Sequence, residues 1–189
     1  MGYARMEGVV TLCPFIESYG ATSCVRPLRG PLRTIVVMVV TVRLLGELEA
    51  HAAGRAVPPP AHPQGSALLA WLALHPGEHE RGALAALLWT DPAPSGARTS
   101  LRSAVWALRR ALGPHEGEVL DGRTTIGLRC ATDLQSFDAF VAAGDTAAAL
   151  ALCRGPLLAG LDEHAWVLAA RAEHATRVAA LREAAPSPR

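Results

Sequence analysis

The stretch from Ser95 to Leu112 constrains the fold of this chain most, because it combines an apolar stripe with a basic stripe and contains no acidic residue. Four apolar residues recur at intervals of three or four and predict one buried helical face: Leu101, Val105, Leu108 and Leu112. Three arginines follow on a neighbouring face: Arg98, Arg102 and Arg109. We expect such a helix to pack on a core with one face and to offer guanidinium groups to phosphates and guanine edges with the other.

A solvated surface helix is the alternative interpretation of this arginine stripe. All 18 basic residues of the chain are arginines, and lysine and asparagine are absent. This bias is typical of a very GC-rich genome and carries no functional information by itself. The segments on either side of the helix therefore provide the evidence that distinguishes a DNA-contacting helix from a solvated surface helix.

The flanking segments complete a definite order of elements. Residues 40–44 alternate between apolar and β-branched or polar side chains and predict a strand, which Gly46 and residues 51–54 interrupt, and residues 55–57 predict a short return strand. Short apolar helices are predicted at 67–74 and 81–89, each followed by proline. After the long helix, residues 119–128 predict a hairpin that turns at Asp-Gly. Strands, three helices and a hairpin in this order predict a winged helix-turn-helix.

From residue 132 onward the pattern is purely helical, and it predicts helices at 133–143, 146–153 and 162–185. The domain prediction has four parts: an N-terminal extension without clear periodicity at 1–38, the winged helix at 39–131, a helical segment at 132–185 and a frayed tail at 186–189. The extension is either a basic arm or the product of a mis-assigned start, because Met38 immediately precedes the first predicted strand.

The order of several sequence blocks resembles that of the SARP-type bacterial transcriptional activators. The blocks are VRLLG (42–46), ALLAWLALHPG (67–77), LLWTD (87–91), the arginine helix ending in LRRALG (108–113), DLQSF (133–137) and LALCRGPLLAGL (150–161). The resemblance implies an α+β, mostly helical fold. An OmpR-like winged helix-turn-helix would be followed by a short tetratricopeptide-like helical segment, the bacterial transcriptional activation domain.

The resemblance also implies sites of DNA contact. The third helix would enter the major groove of double-stranded DNA, with Arg98, Arg102 and Arg109 as contacts, and binding to direct repeats is expected. Arg81 at the start of the second helix and Arg123 on the wing would reach the phosphate backbone. Trp106 either packs at an interface or faces DNA.

Three further assignments complete the expected interface and its neighbours. Trp89 is expected in the core. Arg110 is expected to face solvent or a phosphate rather than a base. RNA polymerase and a second copy of the chain are possible partners of the helical segment.

Two departures from the family pattern qualify these expectations. Glu80 replaces the serine that commonly caps the second helix, and it brings a negative charge close to the expected DNA. The helical segment is also short, because stacks of helical repeats normally need about three units for stability. Activation through a large helical surface is therefore not expected.

Composition and motifs argue against several other classes of protein. A net charge of +1 gives no global attraction to DNA or membranes, so a local patch has to recognise either partner. The four cysteines show no metal-binding spacing, and no catalytic or phosphate-loop motif appears. We therefore expect no enzyme activity, no cofactor, no metal, no membrane segment, no small-molecule substrate and a cytoplasmic location.

Two rival hypotheses remain open from the sequence. One is a protein-interaction module that dimerises or competes with longer family members through residues 133–185, whose excess of acids over arginines favours this role. The other is a degenerate gene product, for which poor folding would be the sign.

Overall fold

A computed structural model describes residues 39–89 and 94–184. The predicted extension at 1–38 and the tail at 186–189 lie outside these residues and stay predictions. The described chain is a mixed α/β structure in which helices predominate.

Two small sheets are present in the described residues. The first contains β1 (Val40–Arg43), β2 (Glu49–Ala52), β3 (Arg55–Val57) and β7 (Ala131–Thr132). Its strand order is β3-β2-β1-β7, and only the β1–β7 pair is parallel. The second contains β4 (Glu78–Glu80), β5 (Val119–Asp121) and β6 (Thr125–Leu128) in the antiparallel order β4-β6-β5.

The predicted helices are confirmed to within a few residues. They are α1 (Gly65–Leu74), α2 (Arg81–Leu88), α3 (Pro94–Leu112), α4 (Asp133–Ala142), α5 (Thr146–Leu152) and α6 (Ala165–Ala184). Local chemistry explains several of their ends. Thr132 and Gln135 form a capping box at the start of α4, and the Asp145 carboxylate accepts the N–H of Ala148 at 3.0 Å to cap α5. Gly113, with φ of 56°, follows α3 in the left-handed region that favours glycine.

Three strands lie where the sequence pattern predicts none: β2, β4 and β7. β2 begins three residues after Gly46 and pairs with both β1 and β3, so residues 51 and 52 of the predicted interruption belong to a strand. The predicted return strand at 55–57 is confirmed as β3. β4 is three residues long and joins the hairpin β5–β6 instead of leaving a plain loop between α1 and α2. β4 and β7 are formed by pairings between segments distant in the chain, which local periodicity does not reveal, whereas β2 pairs with its neighbours in the chain and is too short to show a clear pattern.

The hairpin itself differs from the prediction at its turn. Asp121 pairs with Ile126 inside the sheet, so the connection is the longer loop 122–124 and not a two-residue Asp-Gly turn. At its other end the hairpin lies against the backbone before β4. A Cβ atom on Gly127 would come within 2.4 Å of the Gly77 carbonyl oxygen, so this close approach requires glycine.

One hydrophobic core spans both predicted domains. Its large buried side chains include Leu44, Leu72 and Leu108 from the first part and Phe137 and Leu158 from the second. Backbone hydrogen bonds also cross the predicted boundary, since the N–H of Leu158 donates to the carbonyl of Leu44 at 2.8 Å. The division at residue 131 stays a prediction, and the two parts share a continuous interior.

Candidate nucleic-acid interface

The two-sided character predicted for α3 is confirmed by burial. Its four stripe residues are all buried in the core: Leu101, Val105, Leu108 and Leu112. On the opposite side, Arg98, Arg102, Trp106 and Arg110 are exposed. The helix is therefore held by apolar packing along one face and presents a basic and aromatic face to solvent.

Arg98, Arg102 and Arg123 converge, together with Arg81, on one cavity of about 560 Å³, which we call the arginine cavity. Arg98 and Arg102 reach it from α3, and Arg123 reaches it from the loop of the hairpin β5–β6. The remaining lining residues are Glu80, Arg81, Gly82, Leu101 and Thr124. Within residues 39–89 and 94–184, Arg98, Arg102 and Arg123 form no ion pair with a carboxylate. No carboxylate among the described residues therefore neutralises these three guanidinium groups.

The other two predicted arginines are engaged inside the molecule. Arg81 forms an ion pair with the Asp121 carboxylate and donates from Nε to the Gly122 carbonyl at 3.1 Å. Arg109 lies 3.3 Å from Asp121 Oδ2 and 3.4 Å from Glu116 Oε2. The hydrogen bond that Arg109 donates to the Glu116 carboxylate is the main reason that the pKa of Arg109 lies above its ordinary value. DNA contact by Arg81 and Arg109 stays a prediction, and it requires competition with these carboxylates.

Trp106 does not pack into the core, because 61% of it is exposed. The guanidinium carbon of Arg110 lies 5.3 Å from the centroid of its ring, within the range of a cation–π contact. Both residues line a second cavity of about 560 Å³, the tryptophan cavity, whose other lining residues are Arg81, Arg102, Val105, Arg109, Gly113, Glu116 and Asp121. Arg81 and Arg102 line both cavities, so the two cavities belong to one surface.

The acidic residues of this surface were not identified as functional from the sequence. Asp121 was assigned only to the turn, and Glu116 had no role. The sequence does contain one signal for this role, because Asp121 lies in a predicted hairpin that follows a helix with four arginines. Glu80 was expected to be a poor cap for α2, and its side chain makes no capping hydrogen bond.

The other half-buried aromatic residues support the packing of the core. Trp89 packs partly buried against the core and meets His62 edge-on, with 6.1 Å between ring centroids. Trp71 in α1 and Trp166 in α6 also meet edge-on at 5.2 Å. This last contact joins α1 to the helical segment.

The described part of the chain offers neither a cluster of metal ligands nor a fully exposed thiol. It contains no group of three or more His, Cys, Asp or Glu residues that could hold a metal ion. Burial raises the pKa of Cys130 to about 12 and also raises that of Cys153, which keeps both thiols protonated and weakly nucleophilic. No helix among residues 39–89 and 94–184 has the length and apolarity needed to cross a bilayer.

Comparison with known proteins gives a solved structure of similar fold. No protein-family model matches the chain, and no curated protein matches its sequence. Among solved structures, the chain is similar to EmbR of Mycobacterium tuberculosis in complex with a low-affinity phosphopeptide. The TM-score is 0.65 and the identity 27%, over 77% of this chain and 44% of the EmbR chain.

The comparison gives the chain a SARP-like fold, because EmbR is a regulator of the SARP family. EmbR is a transcriptional regulator and does not belong to an enzyme family. The present chain spans less than half the length of EmbR, and the phosphopeptide is a ligand of EmbR.

Proposed function

We propose that this chain is a sequence-specific DNA-binding transcriptional regulator of the SARP type. In this proposal α3 lies in the major groove and the hairpin β5–β6 is the wing that follows the adjacent minor groove. The observation that carries the proposal is the convergence of Arg98, Arg102 and Arg123 on the arginine cavity, without an ion-pair partner in the described chain.

The chemistry of these three side chains fits a nucleic acid. Arginine presents a planar fork that can donate to O6 and N7 of guanine together, or to two oxygens of one phosphate. Arg98 and Arg102 are four residues apart on the exposed face of α3, so they can contact neighbouring positions of one groove. Arg123 lies at the tip of the wing, where a backbone phosphate would be the ligand.

The low net charge of the protein makes local contacts decisive for its affinity for DNA. A chain with net charge +1 gains little from long-range attraction, and its affinity has to come from local charge. Glu80 in the arginine cavity reduces that local charge further. We therefore expect binding to depend on base contacts more than it does in a strongly basic protein.

The helical segment is proposed to be a shortened tetratricopeptide-like unit that meets protein partners. α4 and α5 pack against each other as a helical hairpin, and α6 follows as a third helix. Binding to direct repeats and contact with RNA polymerase or a second copy are parts of the same proposal. They rest on the resemblance to SARP activators.

Selection of bound duplexes from a random DNA pool at about 150 mM salt tests the proposal directly. Wild-type protein is compared with the Arg98→Ala/Arg102→Ala double variant and with Arg55→Ala as a control. Arg55 is exposed on the edge strand β3 and lines neither cavity. We expect a motif, in direct repeat, that is lost in the double variant and kept in the control. Absence of any enriched motif with folded wild-type protein would contradict the proposal.

A second function is supported by one feature of α6. Leu168 is 49% exposed, and Ala172, Ala175 and Ala179 continue an exposed apolar line along the same helix. Residues 133–185 would then pair with a second copy or with a longer family member, without activating transcription. Light scattering distinguishes this case, since a stable dimer without DNA selectivity is expected.

A further inference from the structure

We propose that Asp121, together with Glu116, is an internal counter-charge that competes with DNA phosphates for Arg81 and Arg109 and so limits sequence-independent binding. This inference rests on the proposed function, because it concerns the same surface. It gives the two acids of the tryptophan cavity a role that neither the sequence pattern nor the comparison assigns.

The first step is the position of the Asp121 carboxylate between two helices. One oxygen pairs with Arg81, the first residue of α2, and the other lies 3.3 Å from Nη1 of Arg109 near the end of α3. Glu116 lies 3.4 Å from Nε of the same Arg109. Two arginines of the proposed interface therefore carry a carboxylate where a phosphate oxygen would otherwise bind.

The second step is that these ion pairs are accessible to an incoming phosphate. The side chains of Arg81, Asp121 and Arg109 are 24%, 26% and 36% exposed. Ion pairs in such partly solvated positions are weak, so a phosphate oxygen can replace the carboxylate. Breaking the arginine–carboxylate ion pair costs part of the free energy gained from the new arginine–phosphate contact. The net affinity for any duplex is therefore lower.

The third step is that the hairpin does not need this carboxylate for its position. β4 pairs with β6 along three residue pairs, and the backbone N–H of Arg81 donates to the Thr124 carbonyl at 2.9 Å. Arg81 Nε also donates to the Gly122 carbonyl. Asp121→Asn keeps the size and an acceptor oxygen, so we expect it to remove the charge and leave the hairpin in place.

Salt-dependent binding to a mixed-sequence duplex measures the effect of this charge. Each additional phosphate neutralised steepens the slope of log K against log salt by about 0.9. Asp121→Asn releases Arg81 while Glu116 still holds Arg109, so it is expected to steepen the slope by about 0.9 and to tighten binding by roughly 5-fold at about 150 mM salt. The motif enriched in selection should stay unchanged.

Glu118→Gln is the matched control for the loss of one negative charge. Glu118 precedes β5 and pairs with Arg129 at 3.0 Å, and neither residue lines the two cavities. We expect its slope and affinity to equal those of the wild type. An equal effect of both substitutions would mean that net charge alone is responsible and would overturn the proposal.

Two additions keep the outcome decisive. Glu116→Gln leaves Arg109 paired with Asp121 alone and is expected to steepen the slope by less than about 0.9; it replaces Asp121→Asn if that variant does not fold. Elution from heparin, a polyanion without bases, separates this inference from DNA recognition. Later elution of the variant together with no enriched motif would support the counter-charge and refute the regulator. Unchanged or weaker binding of both polyanions by the folded variants would overturn the counter-charge alone.

Discussion

The carboxylate of Asp133, the first residue of α4, accepts the backbone N–H of Leu44 at 2.7 Å and that of Leu45 at 3.1 Å. Asp133 is buried, and Arg154 Nη2 lies 3.5 Å from its Oδ2 atom. Burial raises the pKa of this carboxyl above its ordinary value, although the two N–H donors oppose the rise. The helical segment is thereby attached to the end of β1 through a side chain 88 and 89 residues away.

Asp133→Ala is expected to lower the free energy of unfolding by about 2–4 kcal/mol, because two buried N–H groups lose their acceptor. Denaturant unfolding followed by circular dichroism measures the change. Asp138→Ala on the same helix is the control, since Asp138 forms an exposed ion pair with Arg177 and should contribute less than about 1 kcal/mol. Equal losses in both variants would contradict the role of Asp133 as the acceptor that attaches α4 to the end of β1.

His174 is expected to make the protein less stable as the pH falls. Burial is the main cause that lowers the pKa of this imidazole below 6.5, and Arg177 lowers it further while Asp138 raises it slightly. The unfolded chain therefore takes up a proton first, and this contribution to stability is full above pH 6.5 and is lost as the pH falls through the folded-state pKa.

Urea midpoints on both sides of pH 6.5 measure this dependence in wild type and in His174→Phe. The variant keeps the ring that meets Phe137 edge-on at 4.9 Å and removes the titrating group. We expect its stability to vary less with pH in this range. The same slope in both proteins would assign the pH dependence to other groups.

Trp106→Ala is expected to leave the free energy of unfolding unchanged to within about 0.5 kcal/mol, because the ring is exposed. Duplex affinity should fall, since the ring lies between Arg102 and Arg110 on the face proposed to meet DNA. Trp166→Ala serves as the comparison and should cost about 3 kcal/mol, because its ring packs against Trp71. A comparable loss of stability in Trp106→Ala would assign that ring to packing.

Arg102→Ala is expected to weaken binding to the selected motif by roughly 10- to 100-fold if Arg102 reads a base. Competition with sequence variants of the motif identifies the base, because discrimination should be lost at a single position. A phosphate contact would instead weaken all sequences alike and reduce the salt slope by about 1. Unchanged affinity and sequence preference would refute a DNA contact by Arg102.

The sequence predicted the helices well because each of them carries its own local signals. The apolar stripe of α3 predicted which face is buried, and Thr132 with Gln135 provides a capping box that begins α4. β2 and β4 could not be predicted in the same way. Both are short strands defined by partners elsewhere in the chain, and three or four residues contain too little periodicity to reveal them.

The sequence by itself determined which arginines are candidates for DNA contact, through their spacing on one helix and their place in the order of elements. Only the tertiary structure shows which of them meet a carboxylate among the described residues. Arg98, Arg102, Arg123 and Arg81 all line the arginine cavity, but Arg81 and Arg109 also meet Asp121 across 40 and 12 residues of chain. The physical reason is that an ion pair depends on distance in space, and folding brought a hairpin acid between two helices.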